Sequence, residues 1–282
     1  EQVALRNEVP KNVKWTDGRG VATTRVDYVP HLVTEEALAF IEKNQDRPFF
    51  LYLAMNVPHA NNEAGKKGME VPNWGEFADR DWPEPEKGFA SMIRNIDTDV
   101  GRVLQKLKSL GLEDNTLVIF TSDNGPHQEG GHMADHFDSN GPLRGIKRDV
   151  YDGGVRVPMI ARWPGKVPAG TTSDHISAFW DMLPTFCELA GAEVPDKTDG
   201  ISMVPTLLGQ ADEQKKHAYL YWEFYEKGGR IAVRLGEYKG VRMNVSKNPE
   251  APIELYKVTA DLEEQHDIAA DHPDVVARVE EI

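Results

Sequence analysis

The 282-residue sequence has one cysteine, Cys187, so no intrachain disulfide can brace it and cysteine usage leaves the redox compartment open. It has no apolar run near the ~20 residues that a bilayer-crossing helix needs; the longest lies around Phe49–Met55. No basic segment followed by an apolar stretch opens the chain, so no export signal is visible. The first residue is Glu1 rather than Met, and such a signal could lie upstream. Positive charge is also scarce. The formal net charge of −14 argues against a nucleic-acid partner, because DNA and RNA binders carry a basic footprint. Internal repeats and low-complexity tracts are missing as well. What is present, 40% hydrophobic and 28% charged residues, suits an α/β or α+β protein of one large or two smaller domains.

The charge is uneven. Between Gly141 and Lys166 stand six cations (Arg144, Lys147, Arg148, Arg156, Arg162, Lys166) against two anions, Asp149 and Asp152. A cationic patch on an acidic protein can attract a small anion within a Debye length of about 8–10 Å. The same stretch also reads as a solvated basic loop.

Pattern along the chain predicts a parallel α/β body followed by a smaller antiparallel sheet. The first thirty residues read as loop with short strands. Thr34 is a plausible N-cap for a short helix ending near Asn44. The continuous run Phe49–Met55 predicts a strand buried on both faces. Ile93, Ile96, Val100, Val103, Leu104, Leu107 and Leu110 repeat at helical spacing, with Gly111 as a natural C′ residue. Thr116–Thr121 follows as a second buried strand, so strand, helix and strand form a βαβ unit with a right-handed crossover. A third core strand is expected at Val157–Ala161, and Asp181 should cap a helix running to Ala190 and closed by Gly191. After about Gly209, the segments His217–Tyr225 and Ile231–Met243, parted by Gly228-Gly229, read as antiparallel strands. Ile253–Val258 adds another strand, and a helix begins after Pro273. The domains expected are 1–209, the α/β body, and 210–282, the antiparallel sheet with its terminal helix.

In an open α/β sheet, ligands bind beyond the carboxyl ends of the strands. One predicted strand runs into Asn56-Val57-Pro58-His59 and the other into Ser122-Asp123-Asn124-Gly125-Pro126-His127, so both should open on one crevice. Asp123 and Asn124 offer hard oxygen donors suited to Ca²⁺ or Mg²⁺, although calcium takes about 6–8 oxygens. Asp-Asn-Gly is equally a common turn, and a histidine after proline is often a packing residue. The cluster His127-Gln128-Glu129-Gly130-Gly131-His132-Met133-Ala134-Asp135-His136 has no standard zinc spacing. It reads as a substrate-contacting loop or as a plain surface loop.

Three ordered motifs then meet in one pattern. Asn56-Val57-Pro58-His59, Thr121-Ser122-Asp123-Asn124-Gly125 and the stretch from Leu143 through Arg144, Lys147 and Gly153-Gly154-Val155-Arg156-Val157-Pro158 resemble the type I, formylglycine-dependent sulfatases. Trp163-Pro164-Gly165, Asp181-Met182-Leu183-Pro184-Thr185, Asp199-Gly200-Ile201-Ser202 and Glu254-Leu255-Tyr256 extend the likeness over nearly the whole chain. The resemblance implies an alkaline-phosphatase-like parallel or mixed sheet flanked by helices, incomplete here, and hydrolysis of a sulfated small molecule or glycan.

By that resemblance Asp123 and Asn124 would be ligands of Ca²⁺ (or Mg²⁺), and His59 would contact sulfate and protonate the leaving oxygen. Lys147 would bind the sulfate or the bridging oxygen. His127, His132 and Arg144 join His59 and Lys147 as expected substrate contacts. The family's nucleophile is a formylglycine made from a Cys/Ser-x-Pro/Ala-x-Arg motif, which no segment here matches. Cys187 reads as a core cysteine within a helix. The expectation is therefore that the nucleophile and the remaining metal ligands lie in a missing N-terminal segment, that this chain alone is inactive, and that the enzyme is periplasmic or secreted. The rival readings are a phosphatase or phosphonate hydrolase of the same superfamily, and a non-catalytic relative that binds sulfated glycans.

Overall fold

A computed structural model describes residues 27–282; most of the stretch expected to be loop with short strands lies outside the described residues. The chain divides into two compact units. One comprises residues up to Thr116 with His127–Phe137. The other comprises Leu117–Pro126 with Asp138–Ile282.

The first unit is built on two helices, α1 (Val29–Lys43) and α2 (Glu84–Ser109). α1 begins five residues before Thr34. Pro30 occupies its first turn, where a missing N–H costs nothing, and Thr34 is a buried interior residue whose hydroxyl donates to the Pro30 carbonyl at 3.1 Å. Asn44 does close the helix. α2 ends where expected: Gly111 sits at φ +69°, and Leu112 N–H reaches back to the Leu107 carbonyl at 2.9 Å, a Schellman-type closure. α2 starts well before the apolar repeat, and Ile93 is exposed, because the buried stripe runs through Gly88, Ser91, Met92, Ile96 and Leu107. Tyr28, Val57, Ala60, Met69, Met92 and Ile96 form the core of this unit. Burying the larger of these, Val57, Met69, Met92 and Ile96, contributes about 1.5–3 kcal/mol each.

Phe49–Met55 is not a strand. It joins no ladder among the described residues, and Phe50 (65%) and Tyr52 (68%) are exposed. A continuous apolar run encodes a wish for burial, whereas a strand also needs a hydrogen-bonding neighbour, and no described segment supplies one.

In the second unit β1 (Val118–Thr121) pairs antiparallel with β2 (Met159–Arg162), with Val118 opposite Arg162. The parallel βαβ unit and its crossover are therefore absent among the described residues. The shared crevice inferred from parallel strand ends does not follow from this topology. β1 and β2 are also not fully buried, since Phe120 (42%) and Ile160 (64%) face outward. Between them lies α3 (Asp152–Val155), and after them α4 (Met182–Ala190), closed by Gly191 in the left-handed conformation as expected. Asp181 precedes α4 but its carboxylate does not cap it. The two oxygens accept from Ala178 N (2.7 Å), Ile201 N (2.8 Å) and His217 Nε2 (2.9 and 3.0 Å), so the buried acid ties three segments together. A single turn, α5 (Val204–Leu207), follows.

The smaller sheet is an antiparallel meander of β3 (Leu220–Phe224), β4 (Arg230–Leu235), β5 (Tyr238–Met243) and β6 (Ile253–Lys257). Ile231–Met243, expected as one strand, is two, because Gly236 at φ +59° turns the chain back. Period-two alternation gives the sheet two faces. Val233, Ile253 and Leu255 pack against Val275 and Val279 of the terminal helix α6 (Pro273–Glu281). Ala232, Val241 and Tyr256 pack instead against Val150 and Tyr151 of the basic stretch.

Candidate active site

Three of the seven expected site residues lie in the first unit. His59 is exposed, and its Nδ1 is 2.8 Å from the Ala60 carbonyl. A carbonyl only accepts, so Nδ1 carries the hydrogen and Nε2 is the nitrogen left to work. Nε2 is 3.7 Å from Glu129 Oε2. His127 is buried, with its ring 6.2 Å from that of His59. Its Nε2 donates to the Pro58 carbonyl at 2.9 Å and its Nδ1 accepts from Glu129 N at 3.1 Å. Those two bonds require the neutral Nε2–H tautomer and use both nitrogens. His132 is buried more deeply, stacked on Phe89 at 3.8 Å, with Nδ1 2.5 Å from Glu86 Oε2. Glu86 Oε1 accepts from Met133 N at 2.9 Å, so one buried carboxylate on α2 anchors the loop. His127 and His132 thus hold the loop in place, which is different from reaching outward to a substrate.

The other four lie in the second unit. Asp123 is exposed at the tip of β1, and its carboxylate has no partner among the described residues. Asn124 is half-buried; its Nδ2 donates to the Gly125 carbonyl at 2.9 Å, which leaves the amide oxygen for other work. Two glycine contacts fuse this tip to the basic stretch. Gly125 N donates to Gly154 O at 2.9 Å, and a Cβ on Gly125 would lie 1.8 Å from the Gly153 carbonyl oxygen. Lys147 N donates to Pro126 O at 2.8 Å, so the half-buried lysine and the Asp123-Asn124 pair are carried on one backbone platform.

That platform rests on the four-stranded sheet. Lys239, 1% exposed, donates to Asp152 Oδ1 at 2.6 Å, and its Nζ lies 3.0 Å from Glu264 Oε1. Glu264 Oε2 accepts from Asp152 N at 2.7 Å. Burial pushes the Glu264 carboxyl above the usual range, with Lys239 pulling the other way. Arg230 pairs with Asp149. Arg144 is exposed overall, yet its Nη1 donates to Tyr256 Oη (3.0 Å) and the Glu264 carbonyl (2.7 Å), and its guanidinium lies 3.8 Å over the Tyr151 ring. Tyr151 and Tyr256 both donate to Glu254, and burial with that carboxylate raises the Tyr256 hydroxyl to about 12. Arg144 is committed to this scaffold.

Comparison with known proteins decides the family. The family model described as Sulfatase matches residues 6–192. The chain belongs to the sulfatase family. A second model, "N-sulphoglucosamine sulphohydrolase, C-terminal", matches residues 146–281 of this sulfatase chain. N-acetylgalactosamine-6-sulfatase of Canis lupus familiaris is 35% identical over 216 residues, 73% of this chain and 36% of that protein. Arylsulfatase A of Homo sapiens is 37% identical over 203 residues, 70% of this chain and 36% of that protein. The crystal structure of Ps i-CgsB in complex with k-i-k-neocarrahexaose superposes with a TM-score of 0.74 at 29% identity, over 93% of this chain and 55% of that one. The chain thus spans little more than a third of the length of these curated relatives.

For a divalent cation the sulfatase chain offers a partial fit. Asp123 and Asn124 present hard oxygens side by side, but no group of three or more His, Cys, Asp or Glu side chains among the described residues could hold a metal ion. No described helix is long and apolar enough to cross a membrane. Sequence reasoning missed Glu86, Lys239 and Glu264, and it did not see that Asp152 and Asp181 are buried and hold segments together. Glu86 and Lys239 stand at positions where pattern alone predicts solvated charge, and only the partners reveal their burial.

Proposed function

We propose that this chain is part of a sulfuric ester hydrolase acting on a sulfated carbohydrate or aryl sulfate. The observation carrying that reading is the Sulfatase match over residues 6–192, within which the three strand-tip and loop motifs fall. Lys147 binds the sulfate oxygens or the bridging oxygen as a point charge, which stabilises charge developing on the tetrahedral group. His59, its Nδ1 held by Ala60, presents Nε2–H to the leaving oxygen as general acid. Asp123 and Asn124 hold Ca²⁺ or Mg²⁺, whose charge would polarise the sulfate. Since calcium takes about 6–8 oxygens, further ligands would have to join these two. The formylglycine nucleophile comes from sequence outside this chain, and so does the work of forming the covalent intermediate. Export to the periplasm or the cell exterior goes with this reading.

The test is turnover of 4-nitrophenyl sulfate and 4-nitrophenyl phosphate by the complete protein. Sulfate hydrolysis should dominate, and Lys147→Ala should cut kcat/KM for the sulfate by about 10²-fold or more, the scale of losing one well-placed electrostatic contact. Faster phosphate than sulfate hydrolysis would favour the superfamily's phosphatases. Sulfated-glycan binding without turnover would favour the non-catalytic relative.

A further inference from the structure

We propose that the tip of the β3–β4 hairpin, residues 225–229, is the rim of the Lys147 site, and that Tyr225 is its specificity-determining contact to a sugar ring. This rests on the reading of Lys147 as the sulfate ligand, and it narrows the esterified alcohol to a carbohydrate. Hairpin and loop belong to the same unit and are hydrogen-bonded directly after Lys147. Arg230, the first residue of β4, is buried; its Nη1 donates to the Arg148 carbonyl at 3.3 Å, and its guanidinium pairs with Asp149. Asp149 N donates to the Ile146 carbonyl at 2.8 Å, and Asp149 Oδ2 accepts from Ile146 N at 3.0 Å. The turn that carries Lys147 is therefore closed on itself and clamped from the base of the hairpin tip.

Backbone strain gathers at this spot. Of the five non-glycine residues with positive φ among the described residues, three are here: Arg148 (+77°), Lys227 (+54°) and Asn244 (+61°). Such conformations cost free energy and persist where the surrounding structure holds a site in place. Gly228 and Gly229 follow Lys227 in the same region, and they lie against residues 244–246. Ser246 N donates to Gly228 O at 3.0 Å and Val245 N to Gly229 O at 3.2 Å, while a Cβ on Gly229 would stand 2.5 Å from Ser246 Oγ. On this fixed tip Tyr225 is 77% exposed. A tyrosine held that way presents a flat ring at little entropic cost, and a pyranose lays its C–H face on such a ring. The neighbouring Glu226, also exposed, supplies carboxylate oxygens that accept from sugar hydroxyls. A simple aryl ring would stack on Tyr225 but would bring Glu226 no hydroxyl, so the pair favours a sugar.

The experiment uses the complete enzyme with 4-nitrophenyl sulfate and a panel of hexose and N-acetylhexosamine monosulfates, each assayed for turnover and for competition. Tyr225→Ala should raise KM, or the inhibition constant, of the best sugar sulfate about tenfold, the scale of one aromatic contact, with kcat changed less than about twofold. The loss on 4-nitrophenyl sulfate should be smaller by about threefold or more. Tyr225→Phe should recover most of the effect. Glu226→Ala should raise the same KM about threefold, the scale of one net hydrogen bond, and Glu226→Gln should restore it. Tyr219→Ala, an exposed tyrosine outside the tip, should change neither substrate. Urea midpoints of the Tyr225 variants should match wild type, because the ring is exposed. An unmoved KM in Tyr225→Ala, or equal losses on sugar and aryl sulfates, overturns the inference while Lys147→Ala still lowers kcat/KM on both. Sugar sulfates that neither turn over nor compete overturn it too. If Lys147→Ala leaves sulfate-ester turnover intact, the reading of Lys147 falls, and this inference with it.

Discussion

At the residue scale, the buried ions are the features that matter most for stability. Lys239 faces two carboxylates, Asp152 and Glu264, in a dry setting on the face of the sheet that supports the basic loop. Removing the lysine while keeping both acids leaves uncompensated buried charge, so Lys239→Met should cost about 3–5 kcal/mol, read from urea unfolding midpoints. Adding Glu264→Gln should restore part of that loss; a double variant as unstable as the single one would count against charge imbalance as the cause. The sign of the pH dependence follows from Glu264. Its folded pKa is raised, chiefly by burial, so its contribution to stability is fully present below the unfolded carboxyl value of about 4.3 and is lost as pH rises through the folded value. Wild type should therefore lose stability relative to Glu264→Gln as pH rises above the unfolded carboxyl value of about 4.3 and through the raised folded value. A constant difference across that range would show that the carboxyl is not perturbed.

At the element scale, the tip of β1 and the loop around α3 meet backbone to backbone. Gly125 and Gly153 lack side chains because carbonyl oxygens occupy the space: a Cβ on Gly153 would lie 2.1 Å from the Gly145 oxygen. Gly125→Ala should destabilise the chain by at least about 1–3 kcal/mol, the cost of overpacking, and should displace the Lys147 loop. Unchanged urea midpoints and unchanged hydrogen-exchange protection over residues 141–154 would refute this. The glycines were visible in the sequence as part of a motif, yet their reason was not, since close approach is a property of two segments at once. The same division explains what was legible elsewhere. The C-terminal ends of α2 and α4, the break between β3 and β4, and α6 were readable because Gly111, Gly191, Gly228-Gly229 and Pro273 punctuate locally, whereas the turn at Gly236 that splits β4 from β5 was not. The strand at Phe49–Met55 and the parallel crossover were not, because apolar content predicts burial without naming the neighbour that makes a ladder. For the site, Asp123, Asn124, His59 and Lys147 were proposed through motif and position, whereas the contacts of His127, His132 and Arg144 depend on partners such as Pro58 O, Glu86 and Tyr256, which lie far away in sequence.

At the scale of the whole molecule, two observations point the same way. Phe50, Tyr52, Phe120 and Ile160 are exposed, and β1 and β2 form only a two-stranded sheet among the described residues, a size that is marginal alone and leaves strand edges open to pairing. Among the described residues no group of three or more His, Cys, Asp or Glu side chains could hold a cation either, against the about 6–8 oxygens that calcium takes. Both deficits concern surface or ligands that a partner segment would supply, and the curated relatives are nearly three times the length matched here. The purified 282-residue chain should therefore self-associate in light scattering, bind Ca²⁺ no more tightly than about the millimolar range of the weakest oxygen sites, and leave 4-nitrophenyl sulfate unhydrolysed. Supplying the remainder of the protein should reverse all three together, because the same added strands would cover the apolar edges and complete the coordination. A monodisperse monomer with measurable sulfate-ester turnover would break that link, and would place both nucleophile and cation site within the residues of this chain.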